Sequence, residues 1–108
     1  MKFGKKIFTP SSQTLITLPI NYEKNDWRVR KQAREQYCKV QGWKCWYCGE
    51  DLRQPPCESV LRKDLNMSLF PKGMLDNPTH LHHNHKNQMT IGAVHARCNC
   101  VLWQYYGE

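Results

Sequence analysis

Two pairs of cysteine and histidine residues have the spacing of metal ligands. The first pair is Cys45-x-x-Cys48, and the second, further along the chain, is His95-x-x-Cys98. Thiolates and imidazoles in such pairs bind zinc in tetrahedral structural sites. Cys100 competes for the fourth position, but it lies two residues after Cys98 in a predicted helix, where side chains two residues apart lie on opposite faces. The spacing therefore predicts a zinc site made by Cys45, Cys48, His95 and Cys98.

A second group of reactive side chains is the segment 79–85, which reads THLHHNH and holds four of the five histidines. Isolated histidines are usually solvated or hydrogen-bonded core residues, whereas a cluster of this density favours metal binding or acid–base chemistry. Alternate side chains of a strand point to opposite faces. We therefore expect His80, His82 and Asn84 on one face, and Leu81, His83 and His85 on the other.

The elements that must position these residues are short. The pattern predicts a tight turn over residues 43–52, a strand over 80–85, a turn over 86–88, a second strand over 89–94 and a terminal helix over 98–106. The predicted fold class is therefore α+β, a small zinc-stapled domain in the order β, turn, β, α.

A basic helix is predicted ahead of these elements, over residues 26–41. Asn25-Asp26 can cap its start, and Gly42 ends it. One face is expected to be apolar, with Val29, Ala33, Tyr37 and Val40. The other face is basic, with Arg28, Lys31, Arg34 and Lys39. Such a face fits either a solvated surface or contact with phosphate groups.

The remaining segments carry weaker signals. Residues 7–22 are rich in β-branched side chains and interrupted by proline, which indicates an extended arm or an edge strand. Residues 1–24 are therefore predicted to form an arm ahead of a folded domain over residues 25–108. Within that domain, residues 53–79 form a connector with a short helix near 59–67. Cys38 and Cys57 are expected to be unligated thiols. The four tryptophans are expected in the core rather than stacked on bases.

Composition limits the class of protein. A chain of 108 residues forms one small domain with a thin core, which a metal cross-link can reinforce. The net charge of +7, with ten of the sixteen Lys and Arg in residues 1–50, favours a polyanionic partner. No apolar run approaches the roughly 20 residues of a membrane span, and the start lacks a signal peptide's apolar core. We therefore expect a cytoplasmic protein without a membrane partner, with cysteines that do not form disulfides.

The ordered motifs over about residues 40–103 resemble those of HNH endonucleases, also called ββα-metal or His-Me finger nucleases. The resemblance is greatest to the phage recombination endonuclease VII family, whose pattern is Cys-x-x-Cys, His-Leu-Asp-His-Asp-His and Gly-Leu-Leu-Cys-x-x-Cys-Asn. The corresponding segments here are CWYC, HLHHNH and GAVHARCN. The resemblance implies that His83 is the general base and that His85 assists beside the phosphate. It also implies that His82 and Asn99 bind a catalytic divalent ion.

The resemblance implies a phage-encoded, metal-dependent DNA endonuclease that nicks or cleaves double-stranded DNA. Structural Zn²⁺ and catalytic Mg²⁺ or Mn²⁺ are the implied cofactors, and the basic helix and arm would contact DNA phosphates. Two of the departures from the family pattern affect proposed metal ligands. His82 replaces an aspartate, which shifts the metal preference from Mg²⁺ towards Mn²⁺ or later metals. His95 replaces a thiolate, which zinc accepts equally well.

One alternative from another class stays open at this level. In it the chain is a non-catalytic zinc-binding module that binds DNA or acts as an adaptor, and the histidine cluster is incidental or holds a second structural metal. A single ββα unit presents one active site, so cleavage of both strands requires a dimer or two binding events. The sequence leaves open whether the protein is a monomer or a weak dimer.

Overall fold

The computed structural model describes residues 15–108, which form a small α+β domain. Its elements, in chain order, are α1 (Trp27–Val40), α2 (Glu58–Leu61), a 3₁₀ helix (Met67–Leu69), β1 (Thr79–His83), β2 (Thr90–His95) and α3 (Ala96–Tyr106). The predicted α+β class and the order of strand, strand and helix at the end of the chain are confirmed. No helix within residues 15–108 has both the length and the hydropathy that crossing a membrane requires.

Helix α1 begins and ends close to where the sequence predicts. Oδ1 of Asp26 accepts hydrogen bonds from the backbone N–H groups of Arg28 and Val29, at 3.1 and 3.2 Å. Such a cap satisfies backbone donors that the first helical turn leaves unpaired. The helix stops before Gly42, which has a φ of +61°. The predicted apolar face is wrong at one position, because Val40 in the last turn is 76% exposed.

The two strands form an antiparallel hairpin that carries the histidine segment. Their register pairs Thr79 with His95 and His82 with Gly92, and it shifts by a bulge between His82 and His83. The loop between the strands is closed by Asn84, whose Oδ1 accepts from the backbone N–H groups of two following residues. The predicted strand over 80–85 therefore ends two residues early, because this side chain turns the backbone out of the ladder.

The last residues of the predicted arm lie against the hairpin. The N–H of Thr90 donates to the carbonyl of Ile20 at 2.9 Å, and the N–H of Tyr22 donates to the carbonyl of Gln88 at 2.7 Å. Ile20, Ala33 and Leu81 are buried together, which joins this segment, α1 and β1. Residues 1–14 of the predicted arm lie outside the described part of the chain.

The larger core cluster surrounds the cysteine pairs. It contains Leu52, Val60, Val94 and Val101 with the buried thiols of Cys38, Cys45 and Cys98. Gln41, just after α1, fastens this core to β2: its amide group accepts from Ala93 N–H at 2.8 Å and donates to the Ala93 carbonyl at 3.0 Å. The core is therefore held around the residues predicted to bind zinc.

The short helix predicted near 59–67 is divided into α2 and the 3₁₀ helix. Between them the backbone is bonded by side chains of α3 instead of by its own helical ladder. The carbonyl of Asp64 accepts from the side chains of Gln104 and Tyr105, at 3.0 and 2.7 Å, and the N–H of Asn66 donates to Gln104 at 2.8 Å. These long-range bonds satisfy the backbone groups that a continuous helix would pair locally.

The expectation that the tryptophans lie in the core is wrong for three of them. Trp27 is 65% exposed, Trp46 47% and Trp103 45%, whereas Trp43 is half-buried against the core. A domain of this size has too little interior for four indole rings. The exposed rings are therefore available for contacts on the surface of the domain.

Candidate active site and zinc site

The first cysteine pair lies in a tight turn between α1 and α2. The N–H of Cys45 donates to the carbonyl of Glu50 at 2.8 Å, and the N–H of Gly49 donates to the carbonyl of Cys45 at 3.0 Å. Gly49 has a φ of +81°, a conformation that side chains with a Cβ rarely adopt. The N–H groups of Tyr47 and Cys48 point at Sγ of Cys45, at 3.4 and 3.5 Å. The turn thus presents two sulfur atoms on one side.

The second pair stands where β2 ends and α3 begins. His95 is the last residue of β2, and Cys98 lies in the first turn of α3. Nδ1 of His95 is 3.4 Å from Sγ of Cys48 and 3.6 Å from Sγ of Cys98. Its Nε2 is 2.9 Å from two backbone carbonyls, those of Asp51 and Gln54. A proton on Nε2 therefore leaves Nδ1 free to bind a metal, as in metal sites where carbonyls orient the histidine.

Together these four residues form a cluster that can hold a metal such as zinc. Their ligand atoms lie within 4.8 Å of one another, and three of the four residues are buried. Tetrahedral Zn–S bonds of about 2.3 Å place two sulfur atoms about 3.8 Å apart, so small adjustments would complete the geometry. The predicted zinc ligands Cys45, Cys48, His95 and Cys98 are therefore brought together by the fold.

Hydrogen bonds within the cluster favour the thiolate of one ligand. The thiol of Cys98 donates a hydrogen bond to the Cys45 sulfur, and nearby backbone N–H groups donate to the same sulfur. Burial alone would raise the pKa of Cys45, but these hydrogen bonds have the larger effect and lower it to about 4. Thiolates are the form of cysteine that binds zinc.

The other three cysteines lie outside the cluster. Cys100 and Cys38 are buried, and burial raises the pKa of both thiols. Cys57 precedes α2, with its sulfur 3.2 Å from Oγ of Ser59. Cys100, which competed with Cys98 in the sequence, is directed away from the ligands because the two residues are separated by about 200° around α3.

The most unusual side chain in the histidine segment is His82. It is only 1% exposed, its ring lies 5.5 Å from that of Trp46, and neither ring nitrogen has a hydrogen-bond partner in the described structure. Burying polar atoms without partners is costly. Burial lowers the pKa of His82, which favours the neutral imidazole that binds metals. The unpartnered ring nitrogens of His82 are therefore suited to binding a metal ion.

Asn99, the other residue implied to bind the catalytic ion, projects from α3 towards β1. Its amide nitrogen is 3.1 Å from Nδ1 of His80. The amide oxygen cannot take the place of the nitrogen in this bond, because a carbonyl oxygen cannot donate to an unprotonated ring nitrogen. Asn99 also lies close enough to His82 to oppose the effect of burial on its pKa. The fold therefore groups His82, Asn99 and His80 at the junction of β1 and α3.

His83 follows the bulge in β1 and is stacked on Tyr22. The two ring centroids are 4.0 Å apart and the planes differ by 9°. The guanidinium of Arg30 lies 4.0 Å from the centre of the Tyr22 ring, and its Nε donates to the Tyr22 carbonyl at 2.8 Å. Burial, with smaller effects from His85, His82 and Arg30, lowers the pKa of His83 to about 4. At neutral pH this imidazole is unprotonated.

His85 completes the group on the exposed side. Its ring lies 4.6 Å from that of His83 and 5.2 Å from that of Trp103 on α3. A cavity of ≈ 340 Å³ opens beside the histidines, and its walls include residues from both ends of the ββα unit formed by β1, β2 and α3. These wall residues include His82, His83, His85, Tyr106 and Glu108.

Several neighbours of the site were not identified from the sequence. Tyr22 and Arg30 support His83, His80 contacts Asn99, and Tyr106 and Glu108 border the cavity beside the histidines. For His80 a signal existed, since alternation puts it on the same face as His82. Tyr22 and Glu108 carry no local signal, because tertiary packing alone brings them to the hairpin.

Comparisons of the chain with protein-family models, with curated proteins and with solved structures give no match. What can be inferred about function therefore depends on the motifs of the sequence and on the geometry described above.

Proposed function

We propose that this chain is a metal-dependent DNA endonuclease of the HNH type, phage-encoded, that hydrolyses phosphodiester bonds of double-stranded DNA. The observation that carries the proposal is the burial of His82 with both ring nitrogens unpartnered, beside Asn99 and on the wall of a cavity shared with His83 and His85. An incidental histidine of a structural module has no reason to bear this cost, whereas a metal ligand does.

In the proposed reaction His83 acts as the general base. Its unprotonated ring at neutral pH has a lone pair that can take a proton from water while the water oxygen forms a bond to phosphorus. The bond from phosphorus to the leaving 3′ oxygen then breaks, and that oxygen takes up a proton. The stack with Tyr22 fixes the plane of the base, which matters because misplacement of a catalytic group by about 1 Å can cost 100-fold in rate.

His82 and Asn99 are the residues that would hold the catalytic divalent ion. Such an ion would stabilise the charge that develops on the phosphate and on the leaving oxygen. A donor set of one imidazole and one amide oxygen suits Mn²⁺ better than Mg²⁺, which prefers oxygen ligands. His85 lies on the solvent side of His83, where it can donate a hydrogen bond to a phosphate oxygen.

The four-residue Cys/His cluster has a structural role in this proposal. Bound zinc would hold the turn at residues 45–48 to the start of α3, and so fix Asn99, which follows Cys98 directly. Metal binding of this kind contributes free energy to folding. The basic face of α1 would contact DNA phosphates with little dependence on base sequence.

Plasmid cleavage distinguishes this proposal from its alternative. In the alternative, the chain is a non-catalytic zinc-binding module that binds DNA or acts as an adaptor. We expect zinc-loaded wild-type protein to nick or linearise plasmid DNA with Mn²⁺ and, more slowly, with Mg²⁺. His83→Ala should lose at least about 100-fold in rate while keeping its zinc and its circular dichroism spectrum. Equal inactivity of both proteins with several metals would favour the non-catalytic module.

A further inference from the structure

A groove leads to His83 between α1 and the segment 71–77 of the connector. Its volume is ≈ 450 Å³, and it shares His83 and His85 with the cavity that Glu108 borders. The walls of the groove include His83, His85 and Asn99, which belong to the proposed cleavage site. The wall from α1 carries Trp27, Arg30 and Arg34.

The charge of this groove suits a phosphate group. Within residues 15–108, neither Arg30 nor Arg34 forms an ion pair with a carboxylate, whereas Arg28 and Lys31, their neighbours on α1, do so. Nε of Arg30 donates to the Tyr22 carbonyl, which orients its guanidinium at the groove. Two guanidinium groups in one groove match the geometry of phosphate oxygens.

The groove also offers one aromatic surface to a ligand. Tyr22 is covered on both sides, by His83 and by Arg30. Trp27, at the first position of α1, is 65% exposed, and its one described ring contact is the Arg28 guanidinium at 5.4 Å. A base can therefore stack on the indole. Positive grooves with exposed aromatic rings are typical of proteins that bind unpaired nucleic-acid strands.

We propose that this groove binds an unpaired nucleotide beside the scissile phosphate, with its base on Trp27 and its phosphate on Arg30 and Arg34. The inference rests on the proposed function and narrows its substrate to DNA that has an unpaired strand next to the cleavage position. A base inside a duplex is stacked between its neighbours and cannot reach an indole at the edge of the groove. Phosphate contacts alone would not distinguish the two forms of DNA.

Binding of fluorescent oligonucleotides by the zinc-loaded full chain, without added Mg²⁺ or Mn²⁺, tests the inference. We expect a single strand of 12 nucleotides to bind at least about 5-fold more tightly than the duplex of the same sequence. Trp27→Ala should weaken binding of the single strand about 10-fold and change duplex binding less than 2-fold. Trp27→Phe should retain most of the preference of the wild-type protein for the single strand.

Val40→Ala is the matched control, because Val40 is a 76% exposed apolar side chain on the same helix as Trp27 and does not line the groove. It should leave both affinities unchanged. Equal affinity for the two oligonucleotides, or an equal loss for both in Trp27→Ala, would overturn the inference. If the affinities are as expected but no DNA is cut with Mn²⁺, the proposed activity is wrong and the inference that the groove binds an unpaired nucleotide is supported. If the plasmid is cut but Trp27→Ala changes neither binding nor the choice of substrate, the inference about the groove is wrong and the proposed activity is supported.

Discussion

The amide nitrogen of Asn99 lies 3.1 Å from Nδ1 of His80, and this bond determines which atom of Asn99 is left for a metal. Burial lowers the pKa of His80, so its ring is neutral and Nδ1 accepts the hydrogen bond. The amide group of Asn99 is planar, and with its nitrogen held by His80 its oxygen is the atom that faces away. His80 is therefore a positioning residue for the proposed catalytic ion.

Replacing His80 by alanine should weaken Mn²⁺ binding about 10- to 100-fold, as removal of residues that orient a ligand commonly does. Electron paramagnetic resonance of Mn²⁺ added to the zinc-loaded protein measures this affinity without any cleavage assay. Asn99→Ala should lose the site, and the double variant should then show no further effect. An unchanged Mn²⁺ affinity in His80→Ala, with the site lost in Asn99→Ala, would contradict the assigned role.

The stack of Tyr22 on His83 predicts a kinetic effect in a residue outside the ββα unit. Tyr22→Ala should lower the rate of plasmid cleavage with Mn²⁺ about 10-fold, because the imidazole loses the ring that fixes its plane. The loss should fall on kcat more than on KM. Tyr22→Phe, which keeps the ring and removes only the hydroxyl, should retain nearly the full rate; if it is as impaired as Tyr22→Ala, the hydroxyl rather than the stack is required.

The cysteine cluster predicts different outcomes for two thiols of the same helix. Cys98→Ser should lower the zinc content below one ion per chain and lower the melting temperature markedly, because the cluster loses one of four ligands. Cys100→Ala should keep its zinc and cost about 1 kcal/mol for the small cavity it leaves. Metal analysis and thermal denaturation measure both effects. Loss of zinc in Cys100→Ala alone would show that Cys100 is the ligand.

Gly92, opposite His82 in the hairpin, packs tightly against the side chains of Gln41 and Trp46. A Cβ atom there would lie 2.7 Å from Oε1 of Gln41 and 3.1 Å from Cβ of Trp46. Gly92→Ala should therefore disturb the bonds of Gln41 to Ala93 and lower the free energy of unfolding by about 1–3 kcal/mol, measured in urea.

The neighbouring substitution Ile91→Val is a control for Gly92→Ala. Ile91 lies on the same strand and is half-buried, so the loss of one methyl group should cost less than about 1 kcal/mol. A Gly92→Ala protein as stable as the wild type would show that Gln41 can move aside without losing its bonds to β2.

Local signals in the sequence were sufficient for much of the fold. The cap at Asp26 and the stop at Gly42 defined α1, and the residue pattern placed the histidine segment in a strand of a hairpin. These features depend on residues only a few positions apart, for which chain geometry leaves few choices. Local patterns failed where distant groups competed, as in the segment 62–66, whose backbone bonds to side chains of α3.

By itself the sequence determined the four residues that can hold zinc, because ligand spacing of this kind places each pair on one side of a turn or helix. Only the tertiary structure decided the surroundings of the histidines: the burial of His82, the bond between His80 and Asn99, and the stack of Tyr22 on His83. These contacts join elements far apart in the chain. They arise from the packing of α1 and α3 on one hairpin, which no local pattern of residues specifies.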